Sequence, residues 1–281
     1  MMMLPEACVA KILSLTSPAD TVSAAAVSSV FRCAGDSDFV WDHFLPLDYI
    51  GVISQSVDHL SFSSKKELYR RLSESVLIEN GRKMFKIDKF SGKISYVLSP
   101  RDLSIAWSDQ PMTWSWSHRQ DSRVEETIEL ITTERLEIHG KIRTGILSQN
   151  TRYGAYLIMK VTARAFGLDL VPAEISVRSG NDGKADKNST YLCCLDDKKQ
   201  QMKRLFFGNR EERMANMVAA VGEGKRREPK ERSDGWMENE LGEFETGKGD
   251  DEEVVMSLME VKGFQLKGGI VVGGIEVRPK P

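Results

Sequence analysis

The sequence predicts an α+β protein with several domains, in which a small three-helix domain precedes an antiparallel β-sandwich. Two observations lead to this prediction. Apolar side chains in residues 1–50 recur at helical spacing, whereas from about residue 84 they recur with a period of two, which is typical of strands. Many short strands without alternating helices favour an antiparallel sandwich over a parallel α/β fold.

The composition is that of an ordinary globular protein. The chain has 281 residues, of which 41% are hydrophobic, and its formal net charge is −2, which gives no support for general nucleic-acid binding. No apolar run approaches the roughly 18 residues that a membrane span needs, and the N-terminus has no basic stretch typical of a secretion signal. Because four cysteines are too few for a disulfide scaffold, we expect an intracellular, reducing compartment.

Three short helices are predicted in the N-terminal domain. The first begins at Pro5, the second is capped by Ser17 and ends at Gly35, and the third begins at Asp36 or Ser37. The apolar stripes of the second and third helices are Val22, Ala26 and Val30, and Val40, Trp41, Phe44 and Leu45. Three helices of this size form a thin core, so we expect their remaining apolar face to bind a partner.

The rest of the chain is predicted to contain a helical connector and the sandwich. A helix from Ser64 to about Ile78 begins with a capping box formed by Ser64 and Glu67, and its apolar face carries Leu68, Leu72 and Val76. The predicted domains are therefore 1–48, the connector 49–83 and the sandwich 84–281, with a further helix over 202–219. Strands are predicted over 93–97, 102–107, 127–131, 136–142, 155–161, 174–177, 191–195, 236–244, 254–261 and 270–277.

The motifs give no support for an enzyme. Metal-binding His-Glu-x-x-His and Cys-x-x-Cys patterns and glycine-rich phosphate loops are missing from the sequence. We therefore expect no catalytic residue, no cofactor and no metal. A glycosidase acid pair drawn from Glu238, Glu240 and Glu243 would need two carboxylates held roughly 5–10 Å apart. Nothing in the sequence supports that geometry, so this interpretation is rejected.

A series of short motif blocks covers residues 4–46. The blocks are Leu4-Pro5-Glu6, Ile12-Leu13-Ser14, Ser17-Pro18, Val27-Ser28, Phe31-Arg32, Asp36-Ser37-Asp38, Val40-Trp41 and Phe44-Leu45-Pro46. In residues and in spacing they resemble an F-box, the motif that binds a Skp-type adaptor of a cullin ubiquitin ligase. The resemblance implies that the adaptor-binding residues are Leu4, Pro5, Ile12, Leu13, Val27 and Phe31.

A second series of blocks covers the region of predicted strands. The blocks are Ser99–Trp107, Trp114-Ser115-Trp116, Leu136–Ile142, Asp234–Glu238, Glu240–Phe244 and Gly273–Pro279. In this order they resemble the phloem protein 2 family, also called the Nictaba-related lectins. The resemblance implies a jelly-roll-like lectin domain that binds glycans containing N-acetylglucosamine. An F-box joined to such a domain is typical of the plant F-box lectins of this family.

The resemblance assigns carbohydrate binding to Trp107, Trp114, Glu231 and Glu238. An indole face can cover the apolar face of a sugar ring, and an ionised carboxylate accepts hydrogen bonds from sugar hydroxyls. The alternative for the two tryptophans is a place in the sandwich core, and the alternative for Glu231 is a solvated position in a charged run. Trp116 is assigned to the core or its rim.

Together the two resemblances predict a substrate-recognition subunit of an SCF-type cullin ubiquitin ligase that binds glycoprotein targets. Catalysis would belong to partner subunits. One alternative keeps the F-box but makes the sandwich a protein-binding module without sugar binding, because Asn239 and Glu245 are polar where relatives have apolar residues. Another is a stress or defence lectin independent of the ligase. The expected location is cytoplasmic, nuclear or both, and the basic run 225–232 is either a nuclear localisation signal or a solvated loop.

Overall fold

The structure, a computed structural model, describes residues 4–169, 171–180, 186–193, 226–249, 251–261 and 265–280. The chain divides into two units, Met1–Tyr96 and Val97–Pro281. The helix predicted over 202–219 lies outside the described residues. The predicted bounds of the F-box, the connector and the sandwich stay predictions.

The first unit begins with a series of short helices. Its helices, within the described residues, are α1 Glu6–Leu13, α2 Pro18–Ala24, α3 Ser29–Asp36, α4 Asp38–Phe44, α5 Tyr49–Ser54 and α6 Lys65–Leu72. Two predicted caps are confirmed, because Ser17 Oγ accepts from the Asp20 amide and Ser64 Oγ accepts from the Glu67 amide. Each cap satisfies an amide that a helix start leaves unpaired.

The predicted three-helix arrangement is wrong in its second helix, which the structure divides into α2 and α3. The chain leaves α2 after Ala24, and Ser28 Oγ then accepts from the Phe31 amide and starts a new helix. The predicted stripe through Val22 therefore does not form: Val22 is 55% exposed, whereas its neighbour Thr21 is buried. The local cap at Ser28 outweighs the continuous four-residue apolar spacing.

Trp41 lies at the centre of the first unit. Its indole N–H donates to the Gly35 carbonyl at 2.7 Å, and its ring lies 5.7 Å from that of Phe44 and 5.1 Å from that of Tyr69. Leu68 of α6 is fully buried in the same unit. The predicted apolar faces of the third helix and of the connector helix thus both contribute to this core.

The connector helix is shorter than predicted. It ends at Leu72, and Ser75 has a φ of 86°, which no helix can continue through. Val76, predicted on the helix face, instead begins a strand. The strands that follow are β1 Val76–Ile78, β2 Lys83–Ile87 and β3 Ile94–Leu98.

The second unit is built from β-strands. Among the described residues they are β4 Ser104–Ile105, β5 Trp114–His118, β6 Glu126–Leu130, β7 Leu136–Arg143, β8 Thr151–Phe166, β9 Ala173–Ser179, β10 Asp186–Thr190, β11 Arg226–Arg227, β12 Lys230–Glu231, β13 Met237–Thr246, β14 Glu253–Glu260 and β15 Gly268–Pro279. The front sheet has the order β5-β6-β15-β8-β13-β12 and the back sheet the order β11-β10-β9-β14-β7-β4. The pairing is antiparallel except between β10 and β11.

The two sheets pack face to face. Every second residue is buried in β7 and β14, as expected for strands with one face on a core. A Cβ added at Gly140 of β7 would lie only 2.8 Å from Ile275 of β15, so glycine allows the close approach of the sheets there. Between the sheets, the fully buried Asn239 amide of β13 donates to Thr190 Oγ1 of β10 at 2.8 Å. The sandwich is therefore confirmed, and its jelly-roll order stays a prediction.

Two predicted strands differ from the structure. The strand predicted over 102–107 shrinks to Ser104–Ile105, because Pro100–Asp102 form a 3₁₀ turn and Trp107 has a φ of 59°. The strand predicted over 191–195 is displaced, since β10 ends at Thr190 and residues 194–195 lie outside the described part of the chain. Strand β5 is missing from the predicted strands, although its alternating Trp-Ser-Trp-Ser sequence has the right period.

Candidate functional site

Trp107 lies in the turn that links β4 to β5. Its φ of 59° falls in the left-handed region, which residues other than glycine rarely adopt. Its carbonyl accepts a hydrogen bond from the Gln110 amide at 3.0 Å. Trp107 is 40% exposed, which is a large fraction for so large an apolar residue. Backbone strain of this kind persists only where the surroundings hold it in place.

Two tryptophans of β5 hold this turn. The Trp114 indole N–H donates to the carbonyl of Ala106, and the Trp116 indole N–H donates to the carbonyl of Ser108, each at 2.9 Å. The two acceptors flank Trp107 in the sequence, so the backbone on both sides of it is tied to β5. We call residues 106–108 the Trp107 turn. Trp114 is buried, and Trp116 is half-buried.

Trp116 is itself held by an arginine. The Arg101 guanidinium carbon lies 3.6 Å from the centre of the Trp116 ring, in a cation–π contact. Arg101 also donates two hydrogen bonds to the carboxylate of Glu126 in β6, at 2.7 and 3.0 Å. The hydrogen bond from Arg101 holds the pKa of Glu126 below its ordinary value, which keeps this pair ionised. The support of the Trp107 turn therefore extends back into the front sheet.

The tryptophans of the chain differ in what their indole N–H groups do. All five lie among the described residues. Four donate to a backbone carbonyl, namely Trp41 to Gly35, Trp114 to Ala106, Trp116 to Ser108 and Trp236 to Asp121. Within the part of the chain that the structure describes, the Trp107 N–H has no partner. Trp107 therefore combines an exposed ring with an unused donor, which suits a ligand with apolar and polar faces.

A second candidate region surrounds Glu238 of β13. Arg278 of β15 donates to both oxygens of this carboxylate, at 2.7 and 2.8 Å. Arg232 donates to Glu238 at 2.9 Å and to Glu276 at 2.5 Å. With the pair between Arg123 and Asp234 at 2.8 Å, these residues form what we call the arginine–carboxylate cluster: Arg123, Arg232, Arg278, Asp234, Glu238 and Glu276.

Two carboxylates of this cluster, Glu238 and Asp234, are held ionised. Burial alone raises the pKa of Glu238, but its hydrogen bond to Arg278 and the charges of Arg278 and Arg232 outweigh burial and lower the pKa. The pKa of Asp234 is also lowered, because the backbone hydrogen bond from Trp236 and the nearby arginines outweigh burial. Both oxygens of Glu238 are thus already engaged by arginine donors.

Trp236 lies beside the arginine–carboxylate cluster. Its indole N–H donates to the Asp121 carbonyl at 2.6 Å, and the Lys160 ammonium lies 4.9 Å from the ring centre. A surface depression of about 280 Å³, open solvent included, adjoins it and is lined by Val97, Ser122, Arg123, Ile158, Asp234, Trp236, Gly273 and Glu276. The charged members of this lining pair with one another, so the depression offers a ligand few unused polar groups.

The two candidate regions lie on different strands of the front sheet. Partner positions lead across it from Trp116 to Ile128, Val272, Met159 and Met237, the neighbour of Glu238. Four strand spacings of about 4.8 Å place the two ends roughly 19 Å apart along the sheet. The structure therefore brings Trp107 and Trp114 together but does not bring Glu238 to them.

Exposed apolar side chains lie in the first helices of the first unit and in the connections between them. Leu15 and Val27 are 73% and 74% exposed. Of the predicted adaptor-binding residues, Leu4, Pro5, Ile12 and Val27 are exposed, Phe31 is half-buried and Leu13 is buried. Leu15 is missing from the predicted set, although it is 73% exposed and Leu13 is only 3% exposed.

The described residues hold no group of three or more His, Cys, Asp and Glu side chains that could bind a metal ion. In the same residues, no helix is long and apolar enough to cross a membrane.

Comparison with known proteins assigns the chain to a family. The phloem protein 2 family matches residues 93–279. Two F-box proteins of Arabidopsis thaliana, VBF and PP2-B13, are 69% and 70% identical to this chain over its full length and over 100% and 99% of their own. F-box protein PP2-B1 of the same plant is 39% identical over 99% of this chain and 89% of its own. The chain is a plant F-box protein of the phloem protein 2 family.

Similarity to solved structures is low. The xylan-binding CBM22-1 domain of Paenibacillus barcinonensis Xyn10C covers 64% of this phloem protein 2 chain and 87% of its own, at 10% identity and a TM-score of 0.27. A likeness at this level does not bear on the fold.

The four sugar-binding residues predicted for this phloem protein 2 chain lie in four different settings. Trp107 is exposed on its turn, Trp114 is buried beneath that turn, and Glu238 is enclosed by arginines. Glu231 is exposed on the short strand β12. Trp116 is missing from the predicted binding residues. The Trp-Ser-Trp alternation signals that it shares a strand face with Trp114, but not that its indole reaches the Trp107 turn.

The arginine–carboxylate cluster predicts acid sensitivity of the sandwich. A carboxylate whose pKa is lowered by folding stabilises the folded state above its unfolded pKa, and this contribution is lost as the pH falls through the folded value. Because the pKa of Glu238 is lowered, Glu238→Gln should cost stability at neutral pH, and the difference from the wild type should shrink below about pH 4.5. Urea unfolding across this pH range measures it.

The matched control is Glu245→Gln, which removes an exposed carboxylate from the same strand. A Glu238→Gln effect that stays the same at every pH would contradict the proposed role of the ionised carboxylate.

Proposed function

We propose that this protein is the substrate-recognition subunit of an SCF-type cullin ubiquitin ligase. In this proposal the helices of the first unit bind a Skp-type adaptor, and the sandwich binds N-acetylglucosamine-containing glycans on target proteins through Trp107. Ubiquitin transfer belongs to partner subunits. From the sequence, we also propose that it acts in the cytoplasm, the nucleus or both.

The adaptor-binding part is supported by the F-box names of the relatives and by the surface of the first unit. Leu4, Ile12, Leu15, Val22 and Val27 are 50–74% exposed within one short helical stretch. Burying apolar side chains of this size stabilises a complex by about 25 cal/mol per Å², so a covering partner is energetically favoured.

The glycan-binding part is carried by a single observation, the exposed ring and unused N–H of Trp107 on a held turn. An aromatic face covers the C–H face of a pyranose, and the N–H can donate to a hydroxyl or acetamido oxygen at the ring edge. Phloem protein 2 membership adds the expectation that such a ligand is a glycan. Membership of a fold family does not by itself establish the binding site.

Adaptor binding is tested by co-purification of the full chain with a Skp-type adaptor. Leu15→Asp combined with Val27→Asp should abolish the complex, because it places two charges on the exposed apolar surface. Phe90→Asp is the matched control, since Phe90 is 70% exposed in the same unit but lies in the turn between β2 and β3. Undiminished binding by the double variant would contradict this docking surface.

Glycan binding is tested by measuring the affinity of the full chain for oligomers of N-acetylglucosamine. Trp107→Ala should weaken binding at least tenfold, as removal of a central aromatic contact does, whereas Phe90→Ala should have no effect. A folded wild-type protein that binds no glycan on an array would overturn the lectin role. The sandwich would then be a protein-binding module, and the search would turn to its protein partners.

A further inference from the structure

We infer that Trp114 and Trp116 are positioning residues: they hold the Trp107 turn so that the Trp107 ring is presented to a sugar before the sugar arrives. This inference rests on the proposed glycan binding. It gives Trp114 a role beneath the ligand in place of contact with it, and it adds Trp116, which the resemblance does not assign.

The first step of the argument is backbone strain. A tryptophan at φ 59° is less stable than in the ordinary extended or helical regions, so a free turn would leave this conformation. The local hydrogen bonds of the turn are few: the Ser108 amide donates to Ile105 and the Gln110 amide to Trp107, at 3.2 and 3.0 Å. Support from outside the turn is therefore needed to keep Trp107 in place. Before Trp107, the Ala106 amide also donates to the Glu137 carbonyl of β7 at 3.1 Å, whereas after Trp107 the Trp116 indole reaches the Ser108 carbonyl.

The second step is the direction of the two indole groups. Trp114 and Trp116 stand two residues apart on β5, and their N–H groups reach carbonyls on opposite sides of Trp107. Two attachments, one before and one after a residue, restrict rotation about its backbone more than either alone. Moreover, Trp116 pairs with Ile128 and Trp114 with Leu130 of β6, so the attachments are anchored in the sheet.

The third step is the contrast in exposure. Trp114 is 3% exposed, so the turn and its surroundings shield its ring from a ligand, while Trp107 is 40% exposed. Arg101 covers the Trp116 ring at 3.6 Å and is bound in turn to Glu126. Both supporting rings are thus occupied by protein contacts. A preformed aromatic platform binds more tightly than a mobile one, because less conformational entropy is lost on binding.

The test uses Trp116→Phe in the full chain, which keeps an aromatic ring beneath Arg101 and removes only the indole that reaches Ser108. Two quantities are measured: hydrogen exchange of the Gln110 amide without ligand, and the affinity for the trimer of N-acetylglucosamine. We expect exchange to rise and affinity to fall by about fivefold each, the factor corresponding to one neutral hydrogen bond. Trp114→Phe should act in the same direction through Ala106.

Tyr153→Phe is the matched control. It removes one side-chain partner of a loop amide, that of Ser148 at 3.0 Å, from a buried site in the same unit. A general loss of stability would raise hydrogen exchange of the Gln110 amide in all three variants. Positioning of Trp107 raises it only in Trp114→Phe and Trp116→Phe. If neither Trp114→Phe nor Trp116→Phe changes hydrogen exchange of the Gln110 amide, the inference is overturned.

The two proposals fail differently. If the Trp107 turn loosens in Trp116→Phe while the glycan affinity stays at the wild-type value, the positioning role is overturned and the proposed glycan binding is not. A wild-type protein that binds no glycan, although its turn loosens in both tryptophan variants, would overturn glycan binding and still support the hold on the turn.

Discussion

Lys267→Met should lower the free energy of unfolding of the second unit by about 3–5 kcal/mol. The Lys267 ammonium pairs with Glu260 and donates to the carbonyl of Glu134, and both charged side chains are only 3% exposed. Removing the cation breaks its pair with the buried Glu260 carboxylate. Breaking a buried pair by removing one partner costs far more than the intact pair contributes. Urea unfolding followed by circular dichroism measures the loss.

Two further variants make this prediction specific. Lys141→Met removes one partner of an exposed pair with Glu253, whose side chains are 63% and 49% exposed, and should cost no more than about 1 kcal/mol. The double variant Glu260→Leu with Lys267→Met should recover much of the lost stability, because neither charge of this pair remains buried. A single variant as stable as Lys141→Met would show that the site admits water.

Trp236→Ala should also cost about 3–5 kcal/mol of folding stability. Trp236 is 2% exposed, and its ring packs so closely on the β15 backbone that a Cβ at Gly273 would lie 2.8 Å from it. Truncation leaves a cavity and also removes the hydrogen bond to the Asp121 carbonyl, which holds the loop after β5. Thermal unfolding compared with the wild type checks the size of the effect.

The control for this prediction is the same substitution at Trp107. Because Trp107 is exposed and its N–H is unused, Trp107→Ala should cost about 1 kcal/mol or less. Trp236→Ala and Trp107→Ala should therefore separate a tryptophan that stabilises the fold from one that is available to a ligand. Equal losses in the two variants would mean that the Trp107 ring is part of the core.

Much of the strand pattern could be predicted from the sequence, for a physical reason. In β7 and β14 one face is buried and the other faces outward, so apolar and polar residues alternate in the sequence with a period of two. The break between α2 and α3 could not be predicted in the same way. Its cause is the cap at Ser28, a local hydrogen bond that competes with apolar residues spaced for one continuous helix.

The candidate site was less accessible to sequence reasoning. Trp107 and Trp114 lie close together in the chain, and the Trp114 indole reaches the Ala106 carbonyl in the Trp107 turn. The setting of Glu238 depends on Arg232 and Arg278, and strand pairing, not sequence distance, brings Arg278 to it. The left-handed conformation of Trp107 has no signal in its residue type, since glycine or asparagine would be expected there.

The buried hydrogen bond between Asn239 and Thr190 has a consequence for how the two sheets are aligned. The hydrophobic effect is not directional, so apolar contacts alone specify the alignment of two sheets less sharply than hydrogen bonds do. A polar pair placed in their interface opposes sliding, since a shift of either strand would leave two buried polar groups unsatisfied, at about 1–3 kcal/mol each. The buried polar pair thus favours one alignment of the two sheets.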